Sequence, residues 1–289
     1  MSFNRKSGAI TSLIYGDREI IADGKGPVFN AFRQYTDNDR NPLGDWENHD
    51  FWYKAGLHRL KRELKDFKVN KISPQVVRLV ANITCTGNNN VGFEHYCTYT
   101  IFGNGCINLD NRFEPFGELP ILPKIGMVMT VDGTYENFIW YGRGPHENYP
   151  DRKVSADVGI YRSTVCGQYV PYVRPQDNGN KEDVRWAALT DESGAGLLAV
   201  AEDVLSVTAL HFTALDLTAT HTHQLTPRRD ITLCLDYRQN GLGNSSCGPP
   251  VLEKYALRPE PGRFSFSIRP YIPKMGKIEI VARRSLPSR

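Results

Sequence analysis

Alternating apolar and polar positions recur along most of the sequence and predict β-strands. The clearest examples cover residues 75–84 (QVVRLVANIT), 93–102 (FEHYCTYTIF) and 231–237 (ITLCLDY), which are rich in β-branched and aromatic side chains. Turn-favouring Gly, Asn or Pro residues lie close to the ends of these runs. Runs of this length with a period of two are typical of strands in antiparallel sheets.

A β-hairpin is predicted where Gly103, Asn104 and Gly105 separate two of these runs. The second arm covers residues 106–113, so the loop has the three-residue length that is common in hairpins. Glycine adopts a positive φ without steric penalty, as such a loop requires. The two arms are therefore expected to pair with each other.

The same pattern continues through the rest of the chain. Further strands are predicted at residues 9–15, 18–22, 124–131, 135–141, 184–190, 196–202, 206–214, 262–270 and 277–282. One helix is predicted at residues 46–55, with Asp45 as its N-cap and Gly56 directly after its end. No internal repeat is visible. The sequence thus predicts an all-β fold: a large antiparallel β-sandwich with one short helix, in which residues 1–289 form a single domain.

Two long polar segments, residues 142–180 and 238–250, interrupt the strand pattern. Loops longer than about 12 to 15 residues are usually functional or disordered. These two contain Gly, Pro and Arg, and the first also contains several Tyr, which is not a disordered composition. We therefore expect both to form ordered surfaces.

The charge balance excludes several classes of partner. With 35 basic and 32 acidic residues, the net charge of +3 is too small to favour nucleic acid or an anionic membrane. No apolar run reaches the roughly 18 to 20 residues that a membrane span needs. The first residues, MSFNRKSG, are not followed by an apolar stretch, so no secretory signal is predicted. The sequence does not distinguish between a cytoplasmic and a periplasmic location.

The six cysteines are scattered and form no C-x-x-C pair. Cys97, Cys106 and Cys234 lie within apolar alternating runs. They are therefore interpreted as small core residues, and neither a zinc site nor a disulfide framework is predicted.

Candidate chemistry concentrates in residues 140–152, WYGRGPHENYPDR. The charged and amide side chains proposed to matter most are Arg143, Glu147, Asn148, Asp151 and Arg152. Aromatic rings beside such groups are typical of sugar sites, because rings stack on C–H faces while hydroxyls need polar partners. The alternative is a rigid connection whose polar groups bond to one another or to nearby loops. We favour this second role, a structural keystone.

A second candidate is the run of oxygen-bearing side chains Asp37, Asn38 and Asp39, between Thr36 and Arg40. Such a run could contact hydroxyls or a hard cation, or could form an Asx-turn network. The Glu and Gly that would complete a calcium loop are missing. Both interpretations stay open.

Histidines near carboxylates are the remaining candidates for acid/base chemistry: His146 beside Glu147, His95 and His211. Imidazole transfers protons well near neutral pH. With seven His and 32 acidic residues, however, chance pairs are common, and adjacent residues on a strand face opposite sides. A structural role is favoured for each. No phosphate loop, H-E-x-x-H or serine-nucleophile motif is present.

Taken together, these segments resemble the C-terminal, small-chain or domain 5 region of glycoside hydrolase family 2 β-galactosidases. The central match is residues 140–152, followed by SAD at 155–157 and PYVRPQDNG at 171–179. Three other stretches agree in order and spacing, namely FNRKSG at 3–8, TDND at 36–39 and residues 236–248. The resemblance spans essentially the whole chain.

The resemblance implies a β super-sandwich of the galactose-mutarotase type. In the resembled family the two catalytic glutamates lie in a TIM barrel upstream of this domain, so we expect no catalytic residue, metal or cofactor in this chain. The full enzyme is expected to use a divalent and a monovalent cation bound mainly outside it. The implied partners are the barrel of the same parent chain, a galactoside substrate and further copies in a homo-oligomer. The chain is expected to be one domain of a longer hydrolase.

The resemblance also implies that loops of this domain close over the mouth of the barrel. In the best-known members, a loop near the C-terminus carries a tryptophan on which sugar rings stack. The matching stretch here, GLGNSSCGP at 241–249, has Cys247 at or next to that place and is one residue shorter. Loss of the ring removes about 1 kcal/mol of stacking free energy. The sequence therefore does not decide whether the aglycone subsite is kept or whether lactose is the specific substrate. The substrate-rim candidates are Cys247, Asn244, Ser245, Ser246, Asp37, Asn38 and Asp39.

Two alternatives belong to other classes of function. The chain could be a free-standing aldose epimerase with a His/carboxylate pair on the concave face of the sheet, or an independent carbohydrate-binding module. Motifs that span the chain favour a non-catalytic domain of a β-galactosidase. Acceleration of α-galactose mutarotation by the purified chain would indicate the epimerase.

Overall fold

A computed structural model describes residues 1–40, 50–219 and 221–287. The strands of these residues are β1 Ser2–Phe3, β2 Ile10–Ser12, β3 Ile14–Tyr15, β4 Arg18–Glu19, β5 Val28–Asn30, β6 Lys61–Ser73, β7 Val76–Thr86, β8 Gly92–Phe102, β9 Ile107–Phe116, β10 Lys124–Val131, β11 Asn137–Gly144, β12 Asp157–Thr164, β13 Lys181–Thr190, β14 Gly196–Leu210, β15 Ile231–Gln239 and β16 Gly262–Tyr271. The α-helices are α1 Phe51–Lys54 and α2 Ile278–Ala282.

One antiparallel sheet of 12 strands dominates the structure. Nine strands lie in the order β12-β11-β13-β14-β16-β9-β8-β7-β6, and β15, β10 and β5 continue from β14 as a branch. All pairings within the sheet are antiparallel. The predicted all-β, antiparallel class is confirmed.

The long strand β14 connects the two parts of this sheet. Its first residues, from Gly196 to Ala201, pair with β16, whereas Ser206 to Leu210 pair with β15. The sheet therefore curls at β14, and apolar side chains from both parts form the core. The largest fully buried apolar side chains include Trp52, Trp140, Tyr99, Tyr135, Tyr149, Phe29, Phe93, Phe113, Phe138 and Phe266.

The hairpin predicted around Gly103 is confirmed. Strands β8 and β9 pair antiparallel, with Ile101 opposite Ile107 next to the turn. Gly105 has a φ of 84°, the left-handed conformation that favours glycine. Along β8 the buried side chains alternate, as the period-two pattern predicts.

One predicted strand is wrong. Residues 277–282 contain helix α2, with Ile278, Val281 and Ala282 buried and Ile280 exposed. Burial at positions i, i+3 and i+4 is the helical period, whereas a strand would have buried Ile280 on the same face as Ile278. A segment of six residues is too short for the sequence pattern to separate the two periods.

Three other boundaries need correction. The strands predicted at 196–202 and 206–214 belong to the single strand β14, which ends at Leu210. The exposed polar residues Glu202 and Asp203 within it interrupt the apolar pattern of the sequence. The long polar segment 142–180 contains the edge strand β12. The other edge strand, β6, has mostly exposed and charged side chains and therefore lacks the apolar alternation.

The predicted helix at 46–55 falls partly on residues 41–49, which lie outside the described residues. Within the described part, α1 is preceded by Asp50 and followed by Ala55 and Gly56, and Gly56 has a φ of 74°. The glycine after the helix end is thus in the left-handed conformation typical of that position.

The cysteine prediction is correct for two of its three residues. Cys97 and Cys234 are buried, whereas Cys106 is half-buried at the end of the hairpin. All six cysteines are free thiols. Among the described residues, no helix has the length and apolar character needed to span a bilayer.

Candidate functional site

Two of the predicted rim segments, 36–40 and 241–249, lie against each other in the structure. The Ser246 hydroxyl donates to Asn38 Oδ1 at 2.6 Å, although the two residues are 208 positions apart. Gln176 contacts Asp37 twice, accepting from its backbone N–H at 2.8 Å and donating to its carboxylate at 3.2 Å. Side chains from three distant segments therefore meet at one surface.

These segments surround a cavity of 330 Å³, which we call the rim cavity. Its lining combines carboxylates, amides, a guanidinium and two phenol rings. The residues are Thr36, Asp37, Asn38, Glu147, Tyr149, Arg152, Tyr172, Gln176, Asp177 and Leu242. Hydroxyl-rich ligands need such a mixture of donors, acceptors and ring faces.

Asp39, a rim candidate, has a different environment from its neighbours. Its carboxylate accepts two hydrogen bonds from Arg33, at 2.6 and 3.1 Å, and a third from the Thr36 backbone at 2.7 Å. Arg33 is fully buried. Burial opposes the charge of Arg33, but the carboxylates of Asp39 and Asp177 outweigh it and raise the pKa of the guanidinium. The Asx run thus rests on a buried ion pair.

The remaining rim candidates form a compact turn. The backbone N–H groups of Cys247 and Gly248 donate to the Asn244 carbonyl at 3.0 and 2.7 Å. Asn244 and Cys247 are exposed, whereas Ser245 and Ser246 are half-buried. The exposed thiol of Cys247 lies next to the Ser246–Asn38 contact, so the loop offers small polar groups at its tip.

Two of the keystone candidates hold this turn in place. The Asp151 carboxylate accepts the backbone N–H groups of Leu242 and Gly243 at 3.0 and 2.7 Å. Arg152 donates to the Gly243 carbonyl at 2.5 Å and to Asn244 Oδ1 at 3.3 Å. Neighbouring residues thereby bind the donors and the acceptors of one loop.

The other keystone candidates bind elsewhere. Arg143 donates to Asp183 at 2.5 Å and to the Ala156 carbonyl at 2.8 Å. The Glu147 carboxylate accepts from the Tyr172 hydroxyl and from the Gly179 backbone at 2.7 Å. All these bonds run to other loops or to β13.

Asn148 completes this set and is 1% exposed. Its side chain accepts from the Glu182 backbone at 2.8 Å and donates to the His146 carbonyl at 2.9 Å. The Asn148 carbonyl accepts from the Asn180 side chain at 2.8 Å. Because an unpaired buried amide costs free energy, these bonds stabilise this position of the segment.

Sequence reasoning missed the buried polar groups beneath the rim cavity. The Tyr149 hydroxyl donates to Asp177 at 2.9 Å, and Lys124 donates to Asp236 at 3.0 Å. Burial raises the pKa of Asp177, and it raises the pKa of Asp236 to about 6 against the opposing effect of Lys124. Tyr149, Asp177 and Asp236 lie in the matching motifs and Lys124 does not, and charged residues are ordinarily expected at the surface.

The three histidine candidates do not line the rim cavity. His95 is buried and contacts Asn111 Oδ1 at 3.1 Å. His146 contacts Ser155 at 2.9 Å and is not bonded to Glu147. His211 lies 2.8 Å from Glu136, on another part of the surface. Within residues 1–40, 50–219 and 221–287, no three His, Cys, Asp or Glu side chains cluster as a metal site would require.

Comparison with known proteins adds sequence relatives. A family described as beta galactosidase small chain matches residues 1–269. The chain is 33% identical over 244 residues to a β-galactosidase of Priestia megaterium, covering 83% of this chain and 22% of that protein. It is 32% identical over 272 residues to a β-galactosidase of Kluyveromyces lactis, covering 90% and 25%. The chain thus spans about a quarter of the length of these relatives.

Solved structures similar to this chain include two epimerases. A putative aldose 1-epimerase from Escherichia coli K12 gives a TM-score of 0.41 at 11% identity, covering 92% of this chain and 93% of that one. A galactose 1-epimerase from Lactobacillus acidophilus gives 0.43 at 11% identity, covering 92% and 89%.

Proposed function

Because the chain belongs to the β-galactosidase small-chain family, we propose that it is the non-catalytic C-terminal domain of a β-galactosidase and completes the rim of the active site. The catalytic barrel would be supplied by the parent chain, since the relatives are about four times as long as the matched region. The substrate of the whole enzyme would be a terminal β-galactoside. Divalent and monovalent cations, where the enzyme uses them, would be bound mainly by the other domains, and the parent would assemble as a homo-oligomer.

The observation that carries this proposal is the contact between Ser246 and Asn38 above the rim cavity. It joins two loops that are far apart in the sequence into one polar surface. Asp151 and Arg152 hold one of these loops, and the Arg33–Asp39 pair lies beneath the other. A preorganised polar surface suits hydroxyl recognition, because less ordering is needed on binding.

The test uses the full-length parent enzyme with Cys247→Trp. If the loop faces the leaving-group side of the substrate, the added ring should lower the KM for disaccharides by several-fold, through stacking worth about 1 kcal/mol. Small aryl galactosides, which lack the second sugar, should change less. Initial-rate kinetics on lactose and on a nitrophenyl galactoside give the comparison.

Cys166→Trp is the matched control, because Cys166 is also exposed but follows β12 and is not part of the loop at residues 241–249. It should leave both KM values unchanged. Equal kinetic effects on both substrates, or a loss of stability without a change in KM, would contradict the placement of Cys247 at the substrate rim.

A further inference from the structure

A second cavity, of 240 Å³, lies on the strands of the sheet branch. We call it the branch cavity. Each of the four strands β5, β10, β14 and β15 contributes polar side chains to its wall. Those that matter here are Asn30, Lys124, Thr130, Thr208 and Thr232. Because all these residues lie in strands, the wall is held by main-chain hydrogen bonds rather than by loops.

The branch cavity is also lined by apolar side chains. Phe32, Phe212 and Leu217 line it and are all at most 6% exposed. Aromatic and aliphatic surface of this kind packs against the C–H face of a sugar ring. The lining of the cavity therefore offers apolar surface for C–H groups and polar side chains for hydroxyls.

Three charged residues line the branch cavity: Lys124 and Asp177 have charged neighbours, whereas Arg62 donates to the Phe29 carbonyl, at 2.7 and 3.3 Å, and has no carboxylate partner among the described residues. Lys124 donates to Asp236, and Asp177 accepts from Tyr149 and lies in the field of Arg33. The Arg62 guanidinium can donate to sugar hydroxyls as well as to an anion, so a phosphorylated sugar must be compared with the neutral one. An ammonium group has three donors, and Asp236 and the Cys234 thiol take at most two, which leaves one for a ligand.

His58 adds a further polar group to the lining of the branch cavity. It lines the branch cavity, and its Nδ1 is buried with no hydrogen-bond partner among the described residues. A buried polar atom without a partner is costly, and a bound molecule or water would relieve that cost. The wall thus has unused hydrogen-bonding capacity.

From this combination we propose that the branch cavity is a binding site for a neutral monosaccharide. Its volume lies just below the roughly 300 to 1,000 Å³ of ordinary ligand pockets, which suits one sugar ring rather than a disaccharide. The site is separate from the rim cavity, although Asp177 lines both. The inference is therefore independent of the proposed rim function.

The test is titration of the 289-residue chain with D-galactose, followed by calorimetry and by ligand-observed NMR. Thr232→Phe would fill the branch cavity without removing a charge and should weaken binding at least tenfold. Thr98→Phe makes the same change at a half-buried position of β8 outside the cavity and should leave binding unchanged. Circular dichroism and thermal melting confirm that each variant is folded.

Val128→Phe fills the same cavity from β10 and replaces Thr232→Phe if that variant does not fold. No binding of galactose by the parent chain would overturn the proposal. Binding that neither cavity-filling variant weakens would overturn it too, by placing the sugar elsewhere. Tighter binding of galactose 1-phosphate than of galactose would contradict a neutral ligand. None of these outcomes bears on the rim function, which is tested with Cys247 variants of the full enzyme.

Discussion

At the scale of single residues, the adjacent residues Asp151 and Arg152 bind different backbone groups of one loop and so hold it in place. The half-buried Asp151 accepts two backbone N–H groups, and both belong to the turn that begins at Gly241. Arg152 is exposed at the opposite side of the same turn and donates to a carbonyl. Loss of Asp151 leaves two backbone N–H donors without a partner, whereas water can replace much of the hydrogen bonding that Arg152 supplies.

We therefore expect Asp151→Ala to lower the free energy of unfolding by about 1 to 3 kcal/mol, the cost of unsatisfied donors. Arg152→Ala should cost less, about 0.5 to 1.5 kcal/mol, because water reaches the carbonyl it leaves. Urea denaturation of the chain measures both. Asp203→Ala, at an exposed acidic position of β14, is the control and should be close to neutral. If both variants matched the parent, the keystone role would be wrong and direct sugar contact would become the better explanation.

His95 shows what burial does to a titratable group. It packs 4.9 Å from the Phe29 ring and bonds only through one ring nitrogen, to Asn111. Burial lowers its pKa from 6.5 to about 4, and the Asn111 bond opposes this only partly. It is therefore a neutral core residue at pH 7 and unsuited to proton transfer at the rim.

A pH dependence of stability follows from this shift. The folded chain binds a proton at His95 less readily than the unfolded chain, so stability is present above pH 6.5 and is lost as the pH falls towards 4. For this one residue the loss amounts to about 3 kcal/mol at most. His95→Gln should make the stability profile shallower over that pH range, as measured by urea denaturation at several pH values. The exposed His146→Gln should leave the slope unchanged, and a parent-like slope in His95→Gln would refute the assignment.

At the scale of elements, helix α2 is where local pattern and structure disagree. Its buried residues pack on Ile139, Trp186 and Leu198 of the sheet. Arg269 of β16 donates to the carbonyl of Arg284 at 2.7 Å, just beyond the helix end. The face of the sheet and a hydrogen bond from β16, the strand directly before the helix in the chain, together decide the conformation of this short segment.

Single alanine variants separate the helix from the predicted strand. In a helix Val281 is buried and Ile280 exposed, whereas a strand would bury Ile280 with Ile278. We expect Val281→Ala to cost about 1 to 3 kcal/mol and Ile280→Ala less than about 0.5 kcal/mol. Thermal or urea unfolding gives both values. If Ile280→Ala were instead the more destabilising of the two variants, the residues would form the predicted strand.

At the scale of the whole molecule, the described residues form one dominant antiparallel sheet, and the rim cavity lies where segments that are distant in the sequence meet. Retaining glycoside hydrolysis needs two carboxyl groups about 5 to 5.5 Å apart across the scissile bond. The resemblance assigns those groups to the barrel of the parent. Under the proposed function, the chain would be a scaffold for loops that act on the chemistry of another domain.

The isolated 289-residue chain should accordingly fail to hydrolyse a nitrophenyl β-galactoside. A colorimetric assay with the chain purified to homogeneity tests this, with the full-length parent as positive control. Turnover that survives purification and disappears on substitution of one acidic residue of this chain would show that it carries its own catalytic group.

The sequence by itself determined the all-β class, the hairpin at Gly103–Gly105 and the family, because period-two alternation, turn glycines and contiguous motifs are local signals. The rim segments could be named from the motifs, but not their contact, because Asn38 and Ser246 follow β5 and β15, which the tertiary structure places on either side of β10. The helical state of residues 278–282, the buried Lys124–Asp236 pair and the branch cavity were decided by tertiary structure. Each depends on contacts with residues far away in the chain. Once a charged group or a segment of ambiguous pattern is buried, those contacts determine its partner or its secondary structure.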